Sequence, residues 1–123
     1  TQFYLVDLPG YGYARVSQAT RARWASLIEG YLRERKTLAG VIHVVDTRQR
    51  TSDDRRVAEW LRELGIPAIT VATKLDKISR AKWAAVRSEI RKDVPTLEVL
   101  LYSSEAGLGR EELLREMARL LEF

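Results

Sequence analysis

Ile66-Pro67-Ala68-Ile69-Thr70-Val71-Ala72-Thr73-Lys74-Leu75-Asp76-Lys77 is the stretch that decides the fold. Ile66–Ala72 is a short β-rich apolar run that reads as a strand, and Val41–Val45 (VIHVV) is the nearly continuous apolar run expected of a strand buried on both faces. Ile66–Ala72 gives way to a polar loop. Beyond the loop Trp83, Val86 and Ile90 recur at helical spacing behind Ser79, a candidate N-cap, and Pro95 follows the end of that helix. A strand that runs through a loop into a helix is one step of a β-α-β pattern.

The same step repeats along the chain. Phe3–Val6, Val41–Val45 and Leu97–Tyr102 read as further strands, which makes four. Trp24, Leu27, Ile28, Tyr31 and Leu32 fall on one helical face. Val57, Trp60, Leu61 and Leu64 form another, between Ser52 as N-cap and Gly65 as C-terminal stop. Leu113, Leu114, Met117, Leu120 and Leu121 form the last. Strands alternating with helices predict an α/β fold, a parallel sheet with helices on both faces.

Composition narrows the class. The chain has 123 residues, enough for one small domain. It contains no cysteine, which removes disulfides, thiol catalysis and Cys-ligated metals. No apolar run is long enough to span a membrane. The net charge is +4, carried by 16 arginines and five lysines. That excess suits a phosphate-rich partner such as RNA, or a solvated surface with a basic bias.

Three motifs stand in order at the ends of candidate strands. Asp7-Leu8-Pro9-Gly10 matches D-x-x-G, Thr73-Lys74-Leu75-Asp76 matches [NT]-K-x-D, and Tyr102-Ser103-Ser104 precedes Glu105 where a base-bracing S-A-K loop is expected. In open α/β sheets, ligands bind at the carboxyl ends of the strands. Asp76 can accept from N1–H and the exocyclic N2–H₂ of guanine. Adenine lacks that donor pair and leaves the carboxylate unmatched. Lys74 would lay its stem over the base and Thr73 would tie the loop to its neighbours. Backbone N–H groups near Ser103 and Ser104 would reach the guanine carbonyl. Asp7 would hold Mg²⁺ through a water, and Gly10, lacking a Cβ, would bring its N–H to a γ-phosphate. Read alone, D-x-P-G is also good turn chemistry.

Other polar residues read as structural. Asp46 ends a strand at the same sheet edge, near a ligand or bracing the loop before Ser52. His43, inside an apolar run, reads as a core residue, and the three tryptophans as helix packing. The Gly107-Leu108-Gly109 segment reads as a turn.

The strings D-L-P-G-Y-G-Y-A (7–14), V-D-T-R (45–48), T-K-L-D-K (73–77) and Y-S-S (102–104) resemble the EngB family of bacterial TRAFAC-class GTPases over essentially the whole chain. The resemblance implies a P-loop NTPase G-domain-like three-layer α/β/α sandwich with a mostly parallel sheet. It implies GTP/GDP and Mg²⁺ as cofactors and slow GTP hydrolysis. It further implies a role in large ribosomal subunit assembly and in bacterial cell division and growth, in the cytoplasm, with rRNA and ribosomal proteins as partners and no DNA. The nucleotide-binding residues it implies are Asp7, Leu8, Pro9, Gly10, Thr73, Lys74, Leu75, Asp76, Tyr102, Ser103 and Ser104. Tyr11 stands where Ras-like enzymes place a water-orienting Gln, so hydrolysis needs another route.

The family's G-x-x-x-x-G-K-[ST] loop and its switch I threonine do not occur among these residues. The expectation is a partial G domain over 1–123, the C-terminal two-thirds of an EngB protein without its N-terminal strands. The strand preceding the missing loop would lie between Phe3–Val6 and Val41–Val45, so its loss opens a gap in the sheet. Such a chain alone is expected to be inactive. An RNA- or ribosome-docking fragment without hydrolysis is the alternative.

Overall fold

A computed structural model describes residues 2–8, 17–96 and 98–122. They divide into two units, Thr1–Lys36 and Thr37–Phe123.

The second unit is built on three parallel strands in the order β1-β2-β3: β1 Val41–Asp46, β2 Ala68–Thr73 and β3 Val99–Leu101. The register pairs Val41 with Ala68 and Asp46 with Thr73, then Thr70 with Val99 and Ala72 with Leu101. The carboxyl ends of the three strands therefore lie side by side. Alternation along the strands sends side chains to two separate cores. Val45, Ala72, Val99 and Leu101 pack with Ala58 of α2 (Ser52–Glu63) and with Ile90 and Val94 on and after α3 (Trp83–Asp93). Ile69, Val71 and Leu100 face the other way, against Leu113, Met117 and Leu120 of α4 (Arg110–Leu120). Helices cover both sides of a parallel sheet, which is the expected α/β/α arrangement.

Local chemistry sets the helix ends. α2 begins at Thr51, whose hydroxyl accepts from Asp54 N while Asp54 Oδ2 accepts from Thr51 N at 2.8 Å. This reciprocal box corrects the expectation of Ser52 as N-cap, because Asp54 three residues after Thr51 completes the pair. Gly65, with φ +67°, stops the helix as expected. Ser79 caps a short 3₁₀ turn, Arg80–Lys82, that leads into α3; it does not cap α3 itself.

Two further expectations are corrected. Residues 3–6 form no strand. Tyr4 is 88% exposed and Leu5 75%. Strand character is a property of pairing, and residues 3–6 pair with no strand among the described residues. The described residues therefore hold three strands, not four. β1 is also not buried on both faces, since Val44 is 55% exposed. It lies at the edge of the strand order.

His43 does sit in the core. Burial lowers its pKa, and the nearby Asp54 carboxylate partly opposes that shift. In the first unit, α1 (Gln18–Glu34) starts at Ser17, whose hydroxyl accepts from Thr20 N. Ile28 and Leu32 are buried, while Leu27 on the expected apolar face is exposed.

Candidate functional site

The loops after β1, β2 and β3 meet at the carboxyl edge of the sheet. The β2 loop is anchored first. Leu75, between Lys74 and Asp76, is 2% exposed and belongs to the core beneath it. Burying a leucine contributes about 1.5–3 kcal/mol, so the loop is pinned from below. Leu75 N donates to Tyr102 O at 3.1 Å, and Tyr102 N donates to Ala72 O at 2.8 Å. Thr73 ties sideways, as expected for that position, with its hydroxyl donating to Val45 O at 3.2 Å.

Lys74 adopts φ 63°, ψ 33°. The left-handed conformation is costly for a residue with a Cβ, and it starts the 3₁₀ turn Leu75–Lys77. Its ammonium lies 3.1 Å from Asp46 Oδ2. Asp46 also accepts from Arg48 N at 2.8 Å and from the Arg48 guanidinium. Burial would raise the Asp46 carboxyl, but Arg48 and Lys74 outweigh it and lower the pKa to about 2. Asp46 is thus a fixed anion holding its own loop to Lys74. It does not cap α2.

Asp76 receives the Ser103 hydroxyl on Oδ1 at 2.7 Å. The same hydroxyl accepts from Ala106 N at 3.1 Å, which leaves its own proton for Asp76. Lys77 Nζ stands 3.7 Å from Oδ2. The Ser103 hydrogen bond, ahead of a small opposing desolvation, lowers the Asp76 pKa, with Lys77 acting in the same direction. An ionised carboxylate has about four acceptor positions, so Asp76 keeps room for two further donors.

Ser103 is fully buried. Its backbone exchanges two 3.0 Å bonds with Leu108, closing the loop between them. Its own N–H is therefore taken by Leu108 O. Exposed Ser104 and Glu105 are the loop residues left for contact with a base carbonyl. Gly109 follows with φ +81°, and a Cβ there would meet Leu101 O at 2.3 Å. Only glycine fits.

Two residues of this edge escaped the sequence reading. Thr47 is 2% exposed, and its hydroxyl lies 2.7 Å from Thr73 O and 3.3 Å from Lys74 O. Arg50 donates to Thr47 O at 2.6 Å and also pairs with Asp93 and Glu89 of α3. No local pattern marks either one, because their partners come from β2 and α3.

The structure thus brings together Thr73, Lys74, Leu75, Asp76, Tyr102, Ser103 and Ser104. Asp7 and Leu8 belong to the first unit, Asp7 exposed and Leu8 half-buried. Pro9, Gly10 and Tyr11 lie outside the described residues. No three His, Cys, Asp or Glu residues converge as a metal cage among the described residues, and no described helix is long and apolar enough to cross a membrane.

A family model described as 50S ribosome-binding GTPase matches residues 1–74. A probable GTP-binding protein EngB of Symbiobacterium thermophilum is 48% identical over 118 residues, which cover 92% of this chain and 51% of that protein. The protein of the same name from Desulforamulus reducens is 43% identical over 93% of this chain and 58% of its own length. The one from Syntrophomonas wolfei is 45% identical over 98% and 63%. A crystal structure of a probable GTP-binding protein engB superposes with a TM-score of 0.80 at 22% identity, covering 94% of this chain and 76% of that one, and supports the fold. The chain spans about half to three-fifths of the curated relatives it matches. The chain belongs to this family of 50S ribosome-binding GTPases, and its relatives there are EngB proteins.

Proposed function

We propose that residues 1–123 are a partial G domain, the guanine-reading portion of an EngB-type GTP-binding protein. The carrying observation is the Asp76 carboxylate, held by Ser103 at 2.7 Å with acceptor capacity to spare. Asp76 accepts from N1–H and N2–H₂ of guanine. Lys74, its ammonium tied to Asp46, presents its stem to the base plane. Thr73, Leu75 and Tyr102 hold the loop through the bonds described above. Exposed Ser104, beside Ser103, offers backbone N–H to the base carbonyl.

Asp7, Leu8, Pro9 and Gly10 serve the γ-phosphate end. The exposed Asp7 carboxylate fits Mg²⁺ as a contributor through water, since Mg²⁺ keeps several waters and takes few carboxylates beside phosphate oxygens. When bound, the ion neutralises charge on the β- and γ-phosphates. The complete protein acts in the bacterial cytoplasm in large-subunit assembly and supports growth and division. Support for the ribosomal role comes from the family description and the EngB relatives.

The test is nucleotide choice in the complete protein. Asp76→Asn exchanges an acceptor for a donor that suits the C2 carbonyl of xanthine. Preference should move from GTP toward XTP by at least tenfold in competition binding. An unchanged preference would count against guanine reading by Asp76.

A further inference from the structure

The charges around α3 are sorted by flank. Between Lys77 and Lys92 six basic residues stand against one acid, Glu89. Trp83, Val86, Ile90 and Val94 face the core, which fixes the helix rotation. Glu89 and Asp93 fall on one flank, where both are taken by Arg50. Arg87 and Arg91 lie at i, i+4 on the opposite flank, and Lys92, about 100° further round the helix, faces away from the core. Lys92 and Arg91 are exposed, as are Arg80 and Lys82 on the 3₁₀ turn before the helix. The Arg80 guanidinium sits over the Trp83 ring, 5.2 Å from its centroid. Arg87 keeps one donor, Nε, with no partner among the described residues. None of Arg80, Lys82, Arg87, Arg91 and Lys92 has a carboxylate partner there.

The geometry points to this ridge, Arg80, Lys82, Arg87, Arg91 and Lys92, as a docking surface for the phosphodiester backbone of RNA. Cations at i, i+4 on a helix are about 5–6 Å apart, a spacing that lets neighbouring side chains reach successive phosphates. Arg50 pairs with both carboxylates of the other flank and offsets half of their charge. Packing of α3 against the core holds Arg87 and Arg91 one turn apart, with the other cations exposed around them, and each phosphate contact releases counterions. Arginine dominates, and its planar fork can grip phosphate oxygens at two points. The choice of RNA rests on the ribosome-binding reading proposed above.

The test uses the complete protein and a fluorescein-labelled RNA hairpin, read by anisotropy across a salt series. Arg91→Gln with Lys92→Gln should weaken RNA binding about tenfold and lower the slope of log affinity against log salt by about 1.4–1.8. The control, Arg55→Gln with Arg62→Gln on α2, removes the same charge and should change affinity less than about threefold. Equal losses in both variants, or no loss in the first, overturn the ridge. A DNA hairpin of the same sequence that binds as tightly and responds alike overturns the commitment to RNA. Binding of a fluorescent GDP analogue is followed on the same samples. It should be the same in wild type and both variants. If wild type fails to bind the analogue, the functional reading fails, while the RNA arm still decides the ridge.

Discussion

Ser103 and Asp76 are joined by a 2.7 Å hydrogen bond across a sequence separation of 27 residues. The bond links the loop after β2 to the loop after β3, and Ala106 N fixes its direction. The Asp76 carboxylate, proposed above to read guanine, is therefore oriented by the fold itself. Preorganisation of this kind reduces the ordering cost of binding.

Ser103→Ala tests that orientation. It removes the donor to Asp76 and leaves Ala106 N without its acceptor inside a closed loop. GDP affinity of the complete protein should fall about 5–10-fold by titration calorimetry, in line with one lost hydrogen bond. The GTP/XTP preference should stay with guanine, because the Asp76 carboxylate remains. An affinity within twofold of wild type shows that the bond does not organise the site.

Gly109 and Gly65 make a matched pair. Both have positive φ, +81° and +67°. Gly65→Ala meets nothing within 4 Å, so it should cost only the left-handed penalty of about 1 kcal/mol. Gly109→Ala drives a Cβ against Leu101 O and should cost at least 2 kcal/mol more. Urea unfolding of both variants in the complete protein checks the ordering. Equal losses would mean that the β3–α4 turn relaxes freely.

These positions also show what the sequence could reveal. Val45 and Ile90 were legible because a buried strand or helix face writes its period locally, whereas the burial of Leu75, in a loop, was not. The loop carrying Asp76 was legible because its T-K-x-D string follows a strand directly. The Ser103 hydroxyl, Thr47 and Arg50 were not legible as supports, since each acts on an element far away in sequence. Residues 3–6 misled for the complementary reason: their apolar, β-prone composition is local, but a strand needs a neighbour. Thr51 and Ser52 are adjacent hydroxyl residues, and only the Asp54 side chain distinguishes the cap.

Asp46 gives a pH prediction. Its folded pKa of about 2 lies below the ordinary carboxylate value of 3.8. Its stabilisation is therefore complete above about pH 4 and is lost as pH falls through 2. Because the side chain is partly exposed, screening limits the effect to about 1 kcal/mol or less. Asp46→Asn should be less stable than wild type by that amount at pH 7, and the gap should close toward pH 2. A gap that stays constant over this range assigns the loss to packing instead of charge.

Thr47→Val removes the hydroxyl that serves Thr73 O and Lys74 O while keeping the volume. Thr73 O keeps the Thr47 N–H at 3.1 Å, so the loss is one net hydrogen bond, about 0.5–1.5 kcal/mol. Thermal unfolding should show the loss, and GDP affinity should fall with it, since Lys74 hangs from the same bond. A stability loss with unchanged GDP affinity would detach Thr47 from the site.

The isolated 123-residue chain should bind GTP and GDP only at millimolar concentration or weaker, and should hardly distinguish them. Most of a nucleotide's charge is on its phosphates. The groups that neutralise them in this family, a G-x-x-x-x-G-K-[ST] loop with its amides, lysine and hydroxyl, do not occur among these residues. What remains is the base site. Asp76 and the Ser104 region offer about three hydrogen bonds, each contributing roughly 0.5–1.5 kcal/mol net. That sum must still offset several kcal/mol of lost rigid-body freedom. Calorimetric titration of the isolated chain beside the complete protein decides the matter. Tight binding by the complete protein alone assigns the phosphate end to residues beyond this chain, whereas low-micromolar binding by the chain itself would reveal a phosphate site within it.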